Sequence, residues 1–323
     1  MRRREFITLL GSATAWPVLA NAQSTNQARR IGFLRAAPPP ERELKAFFAA
    51  LAENGYVQGR NIVMVPQWGD GNVARLPELA TALKNEGVDI IVAEGTIVAQ
   101  AAAAAAPTLP IVMVASADPL AGGLIKSLSR PGGNVTGFAS LDIEIVGKAF
   151  EILKEMVPGL TRIAVLATRR IWNLFAPTQD RAATALGIGL SYVDMPAPET
   201  AGGAMQQAIA VGAQAAIVRG GPFFSATQRQ IIIDSAAEFR LPVIYERRDD
   251  AVQGGLLSYS ADHIELYREA ASYVARILNG ENVAGLPVQQ PTKFELVINL
   301  KTAKTLGLDV SGSLLLRASE VIE

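Results

Sequence analysis

Cysteine is absent from this chain of 323 residues, and histidine occurs once, at position 263. The first absence excludes disulfides, thiolate zinc sites and cysteine nucleophiles. The second excludes the sites in which two or three histidines hold a metal. No metal and no cofactor is therefore expected, and His263 reads as a solvated surface position at the start of a helix. Tryptophan occurs three times, and the apolar half of the composition is mostly Ala, Val, Leu and Ile. That mixture suits packed α/β layers. Neither sign of charge is in excess, because 30 basic residues stand against 30 acidic ones. The basic footprint needed to neutralise phosphates is missing, so nucleic acid is not an expected partner. A Gly-x-Ser-x-Gly elbow, a P-loop and a His-Glu-x-x-His helix are missing as well. Gly132-Gly133-Asn134 precedes a short strand instead of opening a helix after one, and so reads as a turn, not a phosphate cradle.

What is present begins at the N-terminus. Arg2-Arg3-Arg4-Glu5-Phe6-Ile7 places consecutive arginines before an apolar stretch, residues 6–20, interrupted by Gly11 and Pro17. Ala20-Asn21-Ala22 follows with the small-x-small pattern of a signal-peptidase site. The stretch falls short of the ~20 apolar residues of a membrane span. The expectation is a twin-arginine-like export signal over residues 1–22, cleaved after Ala22, and a soluble periplasmic mature protein. Cleavage removes three arginines and one glutamate, leaving 27 basic and 29 acidic residues.

The length suggests about two domains. Residues 30–34, 61–65, 89–93 and 111–115 read as strands, and residues 41–54, 73–85, 96–106 and 119–129 as helices between and after them. The alternation then starts again, with helices at 141–156, 176–186, 203–211 and 226–239, and strands at 162–167, 190–194, 215–218 and 242–245. Such repetition implies βαβ units and parallel sheets covered on both faces. A last stretch holds strands at 255–259 and 295–300 around a long helix at 262–278, too little for a third domain. The fold class expected is α/β, two Rossmann-like lobes joined by a multi-strand hinge. Residues 23–139 and 252–288 are assigned to the first lobe, and residues 140–251 and 289–323 to the second.

Ligands of open parallel sheets bind outside the carboxyl ends of the strands. In the first lobe those ends are Arg35-Ala36-Ala37, Glu94-Gly95-Thr96 and Ser116-Ala117-Asp118. Thr168-Arg169, Arg219-Gly220-Gly221 and Tyr245-Glu246-Arg247 follow from the second lobe, and Tyr259-Ser260 ends a strand expected to return to the first. The candidate ligand-binding residues are Arg35, Thr96, Ser116, Asp118, Thr168, Gly221, Phe224, Tyr245, Glu246 and Tyr259. Gly95-Thr96 opens a helix whose free amides favour an anion. Ser116-Ala117-Asp118-Pro119 repeats that design, with Pro119 at a first helical position. Phe224 offers a ring for stacking, and Glu246 a carboxylate for an ammonium group. No catalytic residue is assigned.

Several stretches carry a resemblance. They are Arg3-Arg4-Glu5-Phe6-Ile7, Ala52-Glu53-Asn54-Gly55-Tyr56, Ser129-Arg130-Pro131-Gly132-Gly133-Asn134-Val135-Thr136-Gly137, and the run from Leu286 through Pro291-Thr292-Lys293-Phe294-Glu295 to Asn299. With the order of elements they resemble the ABC transporter substrate-binding family that includes tryptophan and tyrosine importer components. The resemblance implies a type I periplasmic-binding fold, a monomer that closes two lobes on a small-molecule ligand, and delivery to an ABC permease and its ATPase. It implies amino acids, aromatic ones among them, as solutes. Arg35-Ala36-Ala37-Pro38-Pro39-Pro40 stands where many relatives have a Ser/Gly-rich loop, and Thr168-Arg169-Arg170 where relatives often have Asn-Pro. The extra arginines favour a more acidic solute, such as a dicarboxylate or an aromatic acid. A periplasmic sensor for a membrane signalling protein and, less favoured, an exported hydrolase are the alternatives. A DNA-binding repressor of the same architecture is excluded, because a signal peptide occupies the place of its DNA-binding helix pair.

Overall fold

A computed structural model describes residues 28–140, 142–220 and 224–323. The expected export signal lies outside the described residues. The chain opens with β1 (Arg29–Arg35), α1 (Glu41–Glu53), β2 (Ile62–Trp68), α2 (Leu76–Asn85), β3 (Ile90–Glu94), α3 (Thr96–Ala105), β4 (Ile111–Ser116) and β5 (Val135–Ala139). These strands form one parallel sheet in the order β2-β1-β3-β4-β5. The central strands are buried on both faces, and alternate residues feed opposite cores, as the two-residue strand period demands. Ile31, Phe33, Ile90 and Val92 enter the cluster under α1. Leu34, Ile91 and Ala93 enter the cluster under α2 and α3. The alanine run belongs to α3, where Ala99 and Ala102 are fully buried, and small side chains let the helix lie close to the sheet.

The second lobe follows with α4 (Asp142–Met156), β6 (Arg162–Ala167), α5 (Arg169–Ala185), β7 (Gly189–Asp194), α6 (Ala201–Ala210), β8 (Ala215–Val218), α7 (Ala226–Glu238), β9 (Val243–Tyr245) and α8 (Arg248–Val252). Then come β10 (Leu257–Ala261), α9 (His263–Leu278), β11 (Phe294–Asn299), α10 (Leu300–Leu306), α11 (Gly312–Arg317) and β12 (Glu320–Ile322). The second sheet runs β12-β11-β10-β9-β8-β6-β7, parallel except at the β10–β11 pair.

Three expectations need correction. The strand expected to return to the first sheet, β10, lies in the second, paired with β9 and β11. The short α8 crossover leaves β10 beside the strand just completed, the usual outcome for a brief βαβ connection. The helix expected at 119–129 is a series of turns. Gly122 and Gly123 sit in its middle, and Gly123 adopts φ +67°, a left-handed backbone that no α-helix contains. The helix expected from residue 176 begins at Arg169, with Pro177 inside it.

The chain passes between the sheets three times: after β5, between β10 and α9, and before β11. After β10, α9 packs back on the first sheet, where Tyr267 stacks on Phe33 at 6.0 Å. Hydrogen bonds tie the crossings together. Gln289 N–H donates to Gly137 O at 2.9 Å, Ala139 N–H to Gln289 O at 2.9 Å, and Asp262 N–H to Lys293 O at 3.0 Å.

Candidate functional site

Between the carboxyl ends of the two sheets lies a cavity with about 790 Å³ of empty space, its open mouth included. Its first-lobe wall is built at the start of α3. Gly95 adopts φ +89° and turns the chain from β3 into the helix, so that Thr96 and Ile97, the first residues of α3, line the cavity. Thr96 Oγ1 lies 3.0 Å from Ser116 Oγ and accepts from Asp118 N–H at 3.4 Å. A register shift in β4 and a positive φ of 49° at Ala115 re-aim the strand end. Ala115 and Ala117 therefore line the cavity, while Ser116 between them is fully buried.

The second-lobe wall joins α5 to the ends of β8 and β9. Ile171 and Phe175 reach the cavity from the first turns of α5. The Arg219 guanidinium lies 5.5 Å over the Phe175 ring, within cation–π range, and forms an ion pair with Glu246. Gly220 N–H donates to the other Glu246 oxygen at 2.8 Å. Tyr259, Ser260, Ala261 and His263 close the back of the cavity along the second crossing. Tyr259 is stacked on Phe294 at 6.1 Å. Apolar groups thus cover most of the wall, and polar groups stand at the α3 start, at the Arg219–Glu246 pair, and at Ser140, Ser260 and His263.

Behind the cavity sits a buried charge cluster. Arg35 Nε contacts Glu94 Oε2 at 2.8 Å, and Arg247 Nη1 contacts Glu94 Oε1 at 3.4 Å. Arg247 also pairs with Glu43, and the Tyr267 hydroxyl donates to Glu94. Burial pushes the Glu94 carboxyl up, but Arg35 and Arg247 outweigh it and hold Glu94 below the ordinary glutamate value. The His263 Nδ1 lies 3.5 Å from Arg247 Nη1. An arginine can only donate, so Nδ1 accepts and the imidazole proton is assigned to Nε2. Burial, reinforced by Arg247, pushes His263 down to about 3. Among the described residues no group of three or more His, Asp or Glu is placed to hold a metal ion, and no helix is long and apolar enough to cross a membrane.

The family model for ABC transporter substrate binding proteins matches residues 38–322. The chain belongs to that family. A curated relative, the tyrosine-binding protein of Clostridioides difficile, is 28% identical over 280 residues, covering 84% of this chain and 78% of the relative. Among solved structures, a conserved domain protein from Vibrio cholerae has a TM-score of 0.83 at 26% identity, covering 91% of this chain and all of that one. An ABC domain from Streptococcus pneumonia in complex with L-Trp has a TM-score of 0.81 at 24% identity, covering 92% and 100% of the two chains, and shares the fold.

For a substrate-binding protein of this family, the candidate residues meet different fates. Thr96, Glu246 and Tyr259 line the cavity. Arg35 and Ser116 are turned into the protein, Arg35 against Glu94 and Ser116 against Thr96. Tyr245 and Phe224 are packed in the core under α6 and α7. Asp118 spends one carboxylate oxygen on Ala121 N–H at 2.8 Å, capping a turn where a second helix N-terminus was expected. Thr168 precedes α5 outside the cavity wall. Gly221 lies outside the described residues. The reading of His263 as a surface residue is corrected, since it is 8% exposed and borders the cavity. The signal for it was available, because a histidine two residues after a strand end begins the helix that the next lobe buries. Phe175 and Ile171 were missed because the start of α5 was placed beyond them.

Proposed function

We propose that this chain is the solute-capturing component of an ABC importer and that it takes a small amino acid-like molecule with an aromatic body. The observation that carries the reading is the cavity between the two sheets, walled by both lobes and of a size that suits small ligands. The amides of Thr96 and Ile97 would receive the carboxylate, favoured there by the helix dipole. Glu246 would receive the ammonium group. It sits at the cavity wall, where it accepts from Arg219 and Gly220. The ring would lie among Phe175, Ile145 and Tyr259. Names of relatives that bind tyrosine and L-Trp lend weight to the same solute class. We further propose that residues 1–22 direct export to the periplasm and are removed after Ala22, and that the mature protein acts as a monomer with a permease and its ATPase.

The test is isothermal titration of residues 23–323 with L-tryptophan, L-tyrosine and L-phenylalanine, alongside indole-3-acetate and succinate. Micromolar binding of an aromatic amino acid, with little or none for succinate, is the expected result. Binding of succinate alone, or of none of the five, sinks the assignment.

A further inference from the structure

The cavity accounts for Glu246 but not for its neighbour. Arg247 leaves the second sheet at the end of β9, and its guanidinium is carried across to the first lobe. Its partners there are Glu43 on α1, Glu94 at the end of β3, and His263 at the start of α9. All three helices and strands pack in the first-lobe core. Arg247 is 1% exposed, and the side chains of both carboxylates are fully buried. We propose that Arg247 is an interlobe latch: a second-lobe cation seated between two first-lobe carboxylates, holding closed the strand ends that form the cavity.

Three features argue for this over an ordinary buried ion pair. The first is covalent adjacency. Glu94 is followed directly by the cavity residues Gly95 and Thr96, and Arg247 is preceded directly by the cavity residue Glu246. Seating Arg247 therefore sets the distance between the two polar ends of the cavity.

The second is charge balance. With Arg247 in place, Arg35 and Arg247 face Glu43 and Glu94. With Arg247 withdrawn, Glu43 loses its buried ion-pair partner and Glu94 loses one of its two, an arrangement that low-dielectric surroundings disfavour strongly. Separation of the lobes must then admit water to this site, so the closed state depends on the contact and the open state does not contain it.

The third is geometry. The planar guanidinium reaches two carboxylates at once, a task for which its fork is suited and an ammonium is not. Arg247 acts through the alignment of Glu246 and Thr96 and is a positioning residue. The inference rests on two-lobe capture for its purpose, and its test uses no solute, so the two readings can fail separately.

The experiment measures the interlobe distance in the solute-free protein. The chain has no cysteine, so spin labels placed by Glu78→Cys on exposed α2 and Gln207→Cys on exposed α6 report one pair. The protein with Arg247 intact should give mainly one short distance. In Arg247→Gln, a second and longer distance should become at least tenfold more populated, with a larger radius of gyration by X-ray scattering. Any cavity ligand that needs the closed form is weakened in proportion to the closed fraction lost. A purely structural arginine would lower the melting temperature and leave both readouts alone. If the single variant does not fold, Glu43→Gln with Arg247→Gln restores one carboxylate to one arginine and takes its place. An unchanged distance distribution in whichever variant folds overturns the latch.

Discussion

The lone histidine allows a sharp test of the site. His263 lies beside Arg247 at 3.5 Å in a buried position, and burial with that guanidinium pushes it down to about 3. Arg35 and Arg42 push in the same direction, and Glu94 opposes them. In the unfolded chain the group should titrate at its ordinary value of about 6.5. Between these values the unfolded state binds a proton that the folded state does not, so stability rises with pH there. The folded value is depressed, so the contribution is complete above about pH 6.5 and is lost as pH falls toward 3. The slope is about 1.4 kcal/mol per pH unit. From pH 6.5 to 5 the loss is about 2 kcal/mol. Replacing His263 by Gln keeps an acceptor for Arg247 and removes the titration. The urea stability of the native protein relative to His263→Gln should therefore fall by about 2 kcal/mol between pH 7 and pH 5. Proton NMR checks the cause directly, because a tag-free chain with one histidine gives one imidazole Hε1 signal. That signal should stay at its neutral position down to pH 4.5. A titration midpoint near 6.5, or a stability difference that does not move with pH, refutes the reasoning.

Other positions give further expected outcomes. Gly137 sits on β5 at φ +128°, where an added Cβ would meet Met113 O at 2.1 Å and Met113 N at 2.7 Å. Both contacts are backbone, so Gly137→Ala should cost about 3 kcal/mol or more and lower the calorimetric melting temperature by several degrees. Truncating Phe175 removes the ring beneath Arg219 and part of the cavity wall. Phe175→Ala should weaken solute binding about tenfold by titration calorimetry while changing the melting temperature little.

Much of the fold was legible because the physics that shapes it is local. β1, β3 and β4 are short apolar runs bounded by turn residues, and burial on both faces of a parallel sheet demands such runs. Where partner choice decided, the sequence was silent. The five residues of β10 would suit either sheet, and only the α8 connection commits them to the second. The stretch at 119–129 offers Leu120, Leu124 and Ile125 at helical spacing, and Gly122-Gly123 overrules the spacing. At α5, a proline near the expected start fits the preference for proline in a first turn. The helix instead accommodates Pro177 internally and extends two turns upstream, bringing Phe175 to the cavity. The site was legible to the level of strand ends and no further. Which residue of each end faces the cleft depends on alternation, on the Ala115 bulge, and on what lies behind the wall.

That last dependence bears on the ligand. Read along the chain, the arginines after the strands suggest unmatched positive charge and an acidic solute. In the folded protein those nearest the cavity face carboxylates: Arg35 meets Glu94, Arg219 meets Glu246 and Arg247 meets Glu43, while Arg229 on α7 meets Asp250 at 3.0 Å. Arg169 and Arg170, which depart from the relatives' pattern as Arg35 does, are exposed on α5 and lie outside the cavity wall, Arg169 within 3.9 Å of Asp194. A dicarboxylate entering this cavity would have to take Arg219 from Glu246 or leave one of its own charges without a partner, and either costs several kcal/mol in a desolvated site. A zwitterion brings no net charge to a cleft in which Arg219 and Glu246 already balance each other. The charge cluster thus works against acidic solutes without touching them, by leaving the cleft nearly neutral and lined with isoleucine, phenylalanine and tyrosine.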